Sequence, residues 1–159
     1  QVALSDPTAA LRNGVADLGT GAGLPGAVIA IVRPDLRVTL VDSRNSRVVF
    51  LKQVERELGL ANIEIVHGRL ESLRGRRRFD IIASRALGYI GETLKGSLEL
   101  LAEDGRLVLF KGPSWSRERD EAMGIAESVG CELGWVREVP LPGFDRTTWF
   151  VEFHVKRSA

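Results

Sequence analysis

Short apolar runs alternate with helical patterns along most of the chain. "GVADLG", "RVTLVD", "IEIVHG" and "FDIIASR" have the length and composition of buried strands, and "RLVLFKG" continues the series after an Asp104-Gly105 turn. Segments with apolar residues at helical spacing separate most of these runs. Such alternation predicts a parallel sheet whose strands are joined by crossover helices.

Helix boundaries are indicated by residues that commonly start or stop a helix. Pro25 can begin the first helix and "RPD" ends it. Ser43 or Ser46 can cap the second helix, which Gly59 ends, and Gly130 stops the last helix. Apolar residues at helical spacing form three groups: Phe50, Leu51, Val54 and Leu58; Ile90, Leu94, Leu98 and Leu101; and Ala122, Ile125, Ala126 and Val129.

The carboxyl-terminal part of the chain has a different pattern. "ELGWVREV" and "TTWFVEFHVK" are both extended runs, and "PLPGFDR" joins them with no helix between. This predicts an antiparallel hairpin at the sheet edge. The expected fold is α/β and Rossmann-like: a mostly parallel seven-stranded sheet with a C-terminal antiparallel hairpin and helices on both faces. We expect residues 1–159 to form one domain.

Composition and charge limit the possible functions. The 159 residues are 44% hydrophobic and 27% charged, with a net charge of +1, so any contact with nucleic acid must depend on local patches. A single cysteine, Cys131, excludes an internal disulfide and predicts a buried core thiol. His67 and His154 are far apart in sequence, which argues against a metal site. With no membrane-length apolar run and no signal peptide, we expect a cytoplasmic protein.

Candidate chemistry is expected where the parallel strands end, because open α/β sheets bind ligands there. The segments at these ends are Asp17 to Gly23, Asp42, His67 to Glu71, Ser84 to Ala86 and Lys111-Gly112. The basic run "RGRRR" precedes the fourth strand and so belongs to the opposite end, as a solvated loop or a distal RNA contact. Trp115, after the fifth strand, suits either base stacking or packing.

The stretch "VADLGTGAGLPG" contains two overlapping glycine motifs. From Gly21 it reads G-x-G-x-x-G, the dinucleotide fingerprint, and from Asp17 it reads D-x-G-x-G-x-G. The strand ends at Leu18-Gly19, so the turn should begin at Gly19. Asp17 would repel a pyrophosphate, but it suits the cationic methionine end of S-adenosylmethionine. A carboxylate at Asp42 fits the ribose of either cofactor, so a dinucleotide remains the alternative.

At these residues the chain closely resembles the RsmG family, also called glucose-inhibited division protein B. The resemblance rests on "GTGAGLPG", "VTLVDS", "GRLES", "SRAL" and "LFKG" in that order, and it covers nearly the whole chain. It implies an S-adenosylmethionine-dependent methyltransferase that acts on guanine N7 of small-subunit (16S) ribosomal RNA. Only "LSDPTAAL" stands where that family has a helical segment before the first strand, and "NSR" replaces its G-K-R-like helix start.

Site residues follow from this resemblance together with the strand-end argument. The resemblance implies that Leu24 belongs to the cofactor loop, that Leu70 and Glu71 line the adenine, and that Arg85 lies beside cofactor and substrate. The predicted cofactor residues are Asp17, Gly19, Gly21, Gly23, Leu24, Asp42, Leu70, Glu71 and Arg85. The expected catalytic residues are Arg85 and Lys111, and the expected RNA-binding residues are Arg44, Arg47, Lys111 and Arg146.

The chemistry is consistent with what the sequence lacks. Guanine N7 carries a lone pair and no proton, so its methylation needs alignment rather than a general base or a nucleophile. "SRAL" contains no cysteine to attack a pyrimidine. The expected partner is small-subunit ribosomal RNA or the ribosomal subunit, bound by a monomer without metal or membrane. Alternatives are a methyltransferase for another RNA, a catalytically silent cofactor-binding module, and an NAD-dependent oxidoreductase.

Overall fold

The computed structural model describes residues 11–85, 89–140, 143 and 147–156. Strands and helices alternate through most of this part of the chain. In chain order the elements are β1 (Val15–Leu18), α1 (Gly26–Val32), β2 (Val38–Asp42), α2 (Asn45–Leu58), β3 (Ile63–His67), a 3-10 helix (Leu70–Leu73), β4 (Phe79–Arg85), α3 (Ile90–Leu98), β5 (Leu101–Lys111), α4 (Trp115–Ser128), β6 (Cys131–Pro140) and β7 (Thr147–Val155).

One seven-stranded sheet contains all of these strands, in the order β3-β2-β1-β4-β5-β7-β6. The pairs from β3 to β5 are parallel, whereas β7 is antiparallel to both β5 and β6. The predicted mostly parallel sheet with a C-terminal antiparallel hairpin is therefore confirmed. Strand order reverses on either side of β1, so the crevice expected to bind a ligand lies at the carboxyl end of β1.

Two apolar clusters, one on each face of the sheet, form the core. One cluster joins α3 and α4 to the sheet through residues such as Leu94, Leu107 and Phe153. Trp115 belongs to this cluster and is 2% exposed, so its role is packing rather than base stacking. Cys131 is a buried member of the same cluster, as predicted, and burial raises the pKa of its thiol to about 11. The second cluster lies under α1 and α2, around Leu40 and Leu51.

Several local predictions are wrong at the helix and strand boundaries. Neither Ser43 nor Ser46 caps α2, because Arg44 occupies the N-cap position and no side chain caps it. Phe50 and Leu58 follow the helical spacing but are exposed, while Leu51 and Val48 point to the core. The apolar stripe of α2 is thus rotated from the predicted one.

The start of β5 is also earlier than predicted. Leu101 pairs with Phe79 rather than ending α3, and the next pair is Arg106 with Ile81. The sequence predicts a turn at Asp104-Gly105; the structure includes these residues in β5, and the register with β4 shifts between these two pairs. A Cβ on Gly105 would lie 2.9 Å from the carbonyl oxygens of Ala102 and Phe79, so this irregular segment leaves no room for a side chain there.

Candidate functional site

The glycine turn after β1 uses both overlapping motifs. Gly19, Gly21 and Gly23 have φ values of 68°, 60° and 89°, a region that favours glycine. Gly26 has a different role, because a Cβ there would lie 2.8 Å from Asp17 Cβ and clash with Leu40. The first three glycines shape the turn, beginning at Gly19 as predicted, and Gly26 allows α1 to pack closely on β1.

Asp17 lies beneath this turn and holds it closed. Its Oδ2 accepts hydrogen bonds from the Thr20 hydroxyl at 2.6 Å and from the Gly26 amide at 2.8 Å. Its Oδ1 has no partner among the described residues. Burial raises the pKa of this carboxyl to about 6, although both hydrogen bonds and the charge of Arg85 oppose the rise. The sequence predicts direct contact with the cofactor, but the side chain is fully covered and acts through the turn.

Asp42 joins the end of β2 to the same turn. Its Oδ2 accepts a hydrogen bond from the Gly21 amide, and its Oδ1 accepts one from the Arg44 amide, both at 2.9 Å. Each carboxylate oxygen has two acceptor sites, so each keeps one for a ligand. Asp42 also lines the cavity beside the turn. The arrangement holds a preoriented double acceptor at the position that the sequence predicts for a ribose ligand.

A cavity of about 460 Å³ opens between the carboxyl ends of β1, β2 and β3. Its lining is Leu18, Gly19, Gly21, Val41, Asp42, Ser43, Arg44, Arg47, Gly68, Arg69, Leu70 and Glu71. A Cβ on Gly21 would meet only the Gly19 carbonyl oxygen, 3.9 Å away, so this backbone borders open space. Its size and its mixed polar and apolar walls suit a nucleoside-sized ligand.

Seven predicted residues meet in this lining: Gly19, Gly21, Arg44, Arg47, Asp42, Leu70 and Glu71. Leu70 and Glu71 reach it because the 3-10 helix begins directly after the end of β3. Gly68 and Arg69 also line the cavity, and both lie in the predicted strand-end segment from His67 to Glu71. Sequence reasoning did not assign Ser43 to the site, although it follows the end of β2 and the strand-end rule could have found it.

Other predicted cofactor residues lie outside the cavity lining. Gly23 is buried against Leu51 and Ala27, while Leu24 is 41% exposed. Arg85 ends β4 and is exposed, with no hydrogen bond or ion pair to any described residue. Their contacts with a cofactor stay predictions.

The predicted basic residues differ in whether a carboxylate already pairs with them. Lys111 Nζ lies 2.5 Å from Glu118 Oε2 on α4, and Lys111 lowers the pKa of that carboxyl. Arg44 and Arg47, in contrast, are exposed and make no side-chain hydrogen bond or ion pair with the described part of the chain. Arg146 lies outside the described residues.

The run "RGRRR" forms contacts at the other end of the sheet. Arg77 pairs with Glu64 at 2.5 Å, and Arg74 pairs with Glu99 at 3.0 Å. Arg78 donates to the Leu101 carbonyl at 2.8 Å. These arginines brace the exposed loop before β4, which agrees with the solvated-loop interpretation. The alternative, a distal RNA contact, stays a prediction.

The described ranges contain neither a cluster of metal-ligating side chains nor a helix that could span a membrane. Among residues 11–85, 89–140, 143 and 147–156, no three or more His, Cys, Asp or Glu side chains cluster as metal ligands. Within those same ranges, every helix is too short or too polar to cross a bilayer.

Family membership is shown by a match that covers most of the chain. Residues 3–132 match the model of GidB, described as rRNA small subunit methyltransferase G. The chain belongs to this family. The family resemblance of the glycine turn and the strand ends is thereby confirmed.

Curated relatives carry the same name. The chain is 47% identical over 117 residues to ribosomal RNA small subunit methyltransferase G from Nocardioides sp., covering 74% of this chain and 47% of the relative. It is 39% identical over 131 residues to the Lactobacillus helveticus protein of that name, covering 80% and 55%. The chain therefore spans about half the length of these relatives.

Solved structures support the fold. A 16S rRNA (adenine(1408)-N(1))-methyltransferase from Catenulisporales acidiphilia superimposes with a TM-score of 0.72 at 18% identity, covering 92% of this chain and 87% of that one. A TehB-like SAM-dependent methyltransferase from Corynebacterium glutamicum gives 0.69 at 22% identity, covering 92% and 83%. At these identities the likeness establishes a Rossmann-like methyltransferase fold and no more.

Proposed function

We propose that this protein transfers a methyl group from S-adenosylmethionine to N7 of a guanine in small-subunit ribosomal RNA. One observation supports this most directly: in a member of the GidB family, the Asp42 carboxylate is hydrogen-bonded to the Gly21 amide at the wall of a nucleoside-sized cavity. The cofactor, the guanine and the small-subunit RNA come from the family, and the cavity supplies the physical argument for the cofactor.

The residues of the cavity fit the adenosine part of S-adenosylmethionine. Each Asp42 oxygen holds one backbone amide and has one acceptor site left, which matches the two ribose hydroxyls. Leu70 offers apolar contact and Glu71 an acceptor on the next wall, which suits an adenine with an apolar face and an exocyclic amine. Gly21 keeps the wall free of a side chain where the ligand would pass closest to the backbone.

Asp17 favours a cationic ligand over a dinucleotide. S-adenosylmethionine supplies a methyl group on a sulfonium, and it also carries an ammonium. The Asp17 carboxylate is buried under the turn with one oxygen unpartnered among the described residues, so its negative charge is weakly screened. A pyrophosphate resting on the same turn would be repelled by that charge.

Arg85 is the strongest candidate for orienting the guanine. It ends β4, next to β1, and the described residues leave its guanidinium unpaired. Arginine usually binds guanine through O6 and N7 together, but N7 must stay free to accept the methyl group. Arg85 should therefore contact O6, a phosphate or the cofactor carboxylate, and its role is alignment rather than proton transfer.

The charge distribution favours RNA at the cavity end of the sheet. Arg44, Arg47 and Arg85 are unpaired within the described ranges, whereas carboxylates neutralise Arg74 and Arg77 at the opposite end. Unpaired arginines beside the cavity are available for phosphates. The target should lie in a loop, because duplex RNA hides the N7 edge of guanine in a deep, narrow groove.

Calorimetric titrations with S-adenosylhomocysteine and NADH test the cofactor assignment. We expect saturable binding of the former alone. Incubation with labelled S-adenosylmethionine and either total ribosomal RNA or an equal mass of DNA then tests the substrate class. NADH binding, or label in DNA but not in RNA, would contradict the proposal.

A further inference from the structure

A tyrosine to which no role has been assigned lies at the carboxyl end of the sheet. Tyr89 is the only tyrosine of the chain, and it directly precedes α3, four positions after Arg85 at the end of β4. Four residues of chain span at most about 14 Å, so Tyr89 stands at the same end of the sheet as the candidate site. The residue is 52% exposed.

Two contacts fix the orientation of the Tyr89 ring. Its hydroxyl donates a hydrogen bond to Glu121 Oε1 on α4. A Cβ on Gly91 would lie 3.1 Å from Cε1 and 3.3 Å from Cδ1 of the ring, so the absence of a side chain at Gly91 leaves space for that edge. Held at its tip and along one edge, with about half of the residue exposed, the ring is a preoriented aromatic surface.

The helix that holds Tyr89 also holds a predicted substrate residue. Glu118 and Glu121 are three positions apart on α4, so they lie on one side of that helix. Glu118 Oε2 lies 2.5 Å from Lys111 Nζ at the end of β5, while Glu121 binds Tyr89 at the start of α3. The carboxylates of α4 therefore set the places of two side chains beside the carboxyl ends of β4 and β5.

Tyr89 lies away from the point where the chain enters the described fold. Leu11 packs with the cluster under α1 and α2, close to the amino end of β1. Ile90, next to Tyr89, belongs to the cluster under α3 and α4 on the other face. The ring and the entering chain thus differ both in the face and in the end of the sheet that they occupy.

Methylation at N7 changes the charge of the base that the ring would meet. The N7 lone pair forms the bond to the methyl carbon, the electron pair of the broken carbon–sulfur bond stays on sulfur, and the positive charge passes to the guanine. Bases stack on aromatic side chains, and the face of an aromatic ring attracts a cation. The Glu121 carboxylate adds negative charge beside this ring.

We propose that Tyr89 is the surface on which the target guanine stacks, and that it binds the methylated, cationic base more tightly than the unmodified one. The inference rests on the proposed function and deepens it by naming a residue that contacts the substrate. Stacking tolerates any base, so Tyr89 supplies placement, while Arg85 is left to contact O6. An attraction that grows as positive charge develops on the guanine stabilises the transition state more than the ground state.

The test uses the fact that the chain contains one tyrosine. With ring-labelled tyrosine, NMR reports on Tyr89 alone while guanosine monophosphate or 7-methylguanosine monophosphate is added. Saturating S-adenosylhomocysteine fills the adenosine cavity throughout, so a shift reports binding elsewhere. Calorimetry then gives both affinities for Tyr89→Leu, Tyr89→Phe and Glu121→Gln, with the melting temperature of each. Phe50→Leu is the matched control, since Phe50 is 45% exposed but lies on α2.

We expect saturable upfield shifts of the Tyr89 ring signals, with the methylated nucleotide bound severalfold more tightly. Tyr89→Leu should weaken its binding by on the order of tenfold, while Tyr89→Phe and Phe50→Leu retain most of it. Glu121→Gln keeps an acceptor for the hydroxyl but should reduce the preference for the cationic base. Absence of a shift, equal affinity for the two nucleotides, or equal loss in Tyr89→Leu and Tyr89→Phe would overturn the inference.

Methyl transfer to ribosomal RNA separates this inference from its premise. We expect Tyr89→Leu to lower kcat/KM by on the order of tenfold and Tyr89→Phe to restore most of it. Transfer by the unaltered chain that Tyr89→Leu and Phe50→Leu perform equally well would uphold the proposed function and overturn the stacking surface. No transfer by the unaltered chain, with the ring shift and the preference for the methylated nucleotide present, would uphold the stacking surface and contradict the proposed function.

Discussion

The Gly21 amide donates a hydrogen bond to Asp42 Oδ2 at 2.9 Å, which ties the turn after β1 to the end of β2. This contact places a backbone amide and a carboxylate on one wall of the cavity. It also couples the shape of the glycine turn to the residue that we assign to the ribose. Changes at Asp42 should therefore affect ligand binding more than the remainder of the fold.

Asp42→Ala should weaken S-adenosylhomocysteine binding by about 1–3 kcal/mol, the usual worth of lost charge-assisted hydrogen bonds. Titration calorimetry measures this directly. Asp80→Asn is the control. Asp80 also accepts a hydrogen bond from a backbone amide, that of Asn13 at 2.7 Å, but it lies at the amino end of β4, away from the cavity. Unchanged affinity in Asp42→Ala would remove the ribose assignment.

Gly26→Ala should destabilise the protein by about 1–3 kcal/mol, because the added methyl has no space between α1 and β1. Its Cβ would lie 2.9 Å from Asp17 Oδ2, the atom that the Gly26 amide itself contacts. Urea unfolding measures the change. Gly124→Ala in α4 has nothing within 4 Å of the new methyl and should stabilise by about 0.4–1 kcal/mol. Equal effects at both positions would contradict the close-approach role.

Asp17 should make stability fall as pH rises through the acid range. Its pKa is raised to about 6 in the fold from an ordinary 3.8, so the folded state holds the proton more tightly than the unfolded chain does. The free energy of unfolding that this raised pKa contributes is on the order of 3 kcal/mol. It is fully present below about pH 4 and is lost by about pH 6.

Urea unfolding at several pH values tests this behaviour. Asp17→Asn should flatten the stability profile between pH 4 and 6, since the group no longer titrates. Asp80→Asn should retain the profile of the unaltered protein. A profile that stays steep in Asp17→Asn would assign the effect to another group.

Much of the fold follows from the sequence, because buried parallel strands are short apolar runs and each one ends in recognisable turn residues. β4, for example, matches "FDIIASR" residue for residue. The start of β5 could not be predicted, since the Leu101 pairing with Phe79 depends on a register shift that only the neighbouring strand β4 defines. The burial of Asp17 was also missed, because no local pattern reveals that Thr20 and Gly26 turn back onto it.

The state of Lys111 was likewise hidden from the sequence. Its carboxylate partner, Glu118, is seven positions later and reaches it because α4 begins just after β5 and carries Glu118 in its first turn. Spacing along the chain gives no signal for such a contact. The sequence therefore predicts where a basic side chain at a strand end lies, but it does not predict whether a carboxylate pairs with that side chain.

Glu118→Gln should strengthen RNA binding, because Glu118 neutralises the cation that would otherwise meet a phosphate. We expect the slope of log affinity against log salt to steepen by about 1, the value for one additional phosphate contact. Filter binding over a salt series measures it, with Lys111→Gln as the opposing variant. An unchanged slope in both variants would place Lys111 away from the RNA.

Transfer from labelled S-adenosylmethionine to unmodified small-subunit ribosomal RNA, mapped by chain cleavage at N7-methylguanine, tests the proposed function most directly. We predict label and cleavage at one guanine, with transfer strongly reduced in Arg85→Ala at an unchanged melting temperature. Label without cleavage at guanine, or equal transfer by Arg85→Ala, would contradict it.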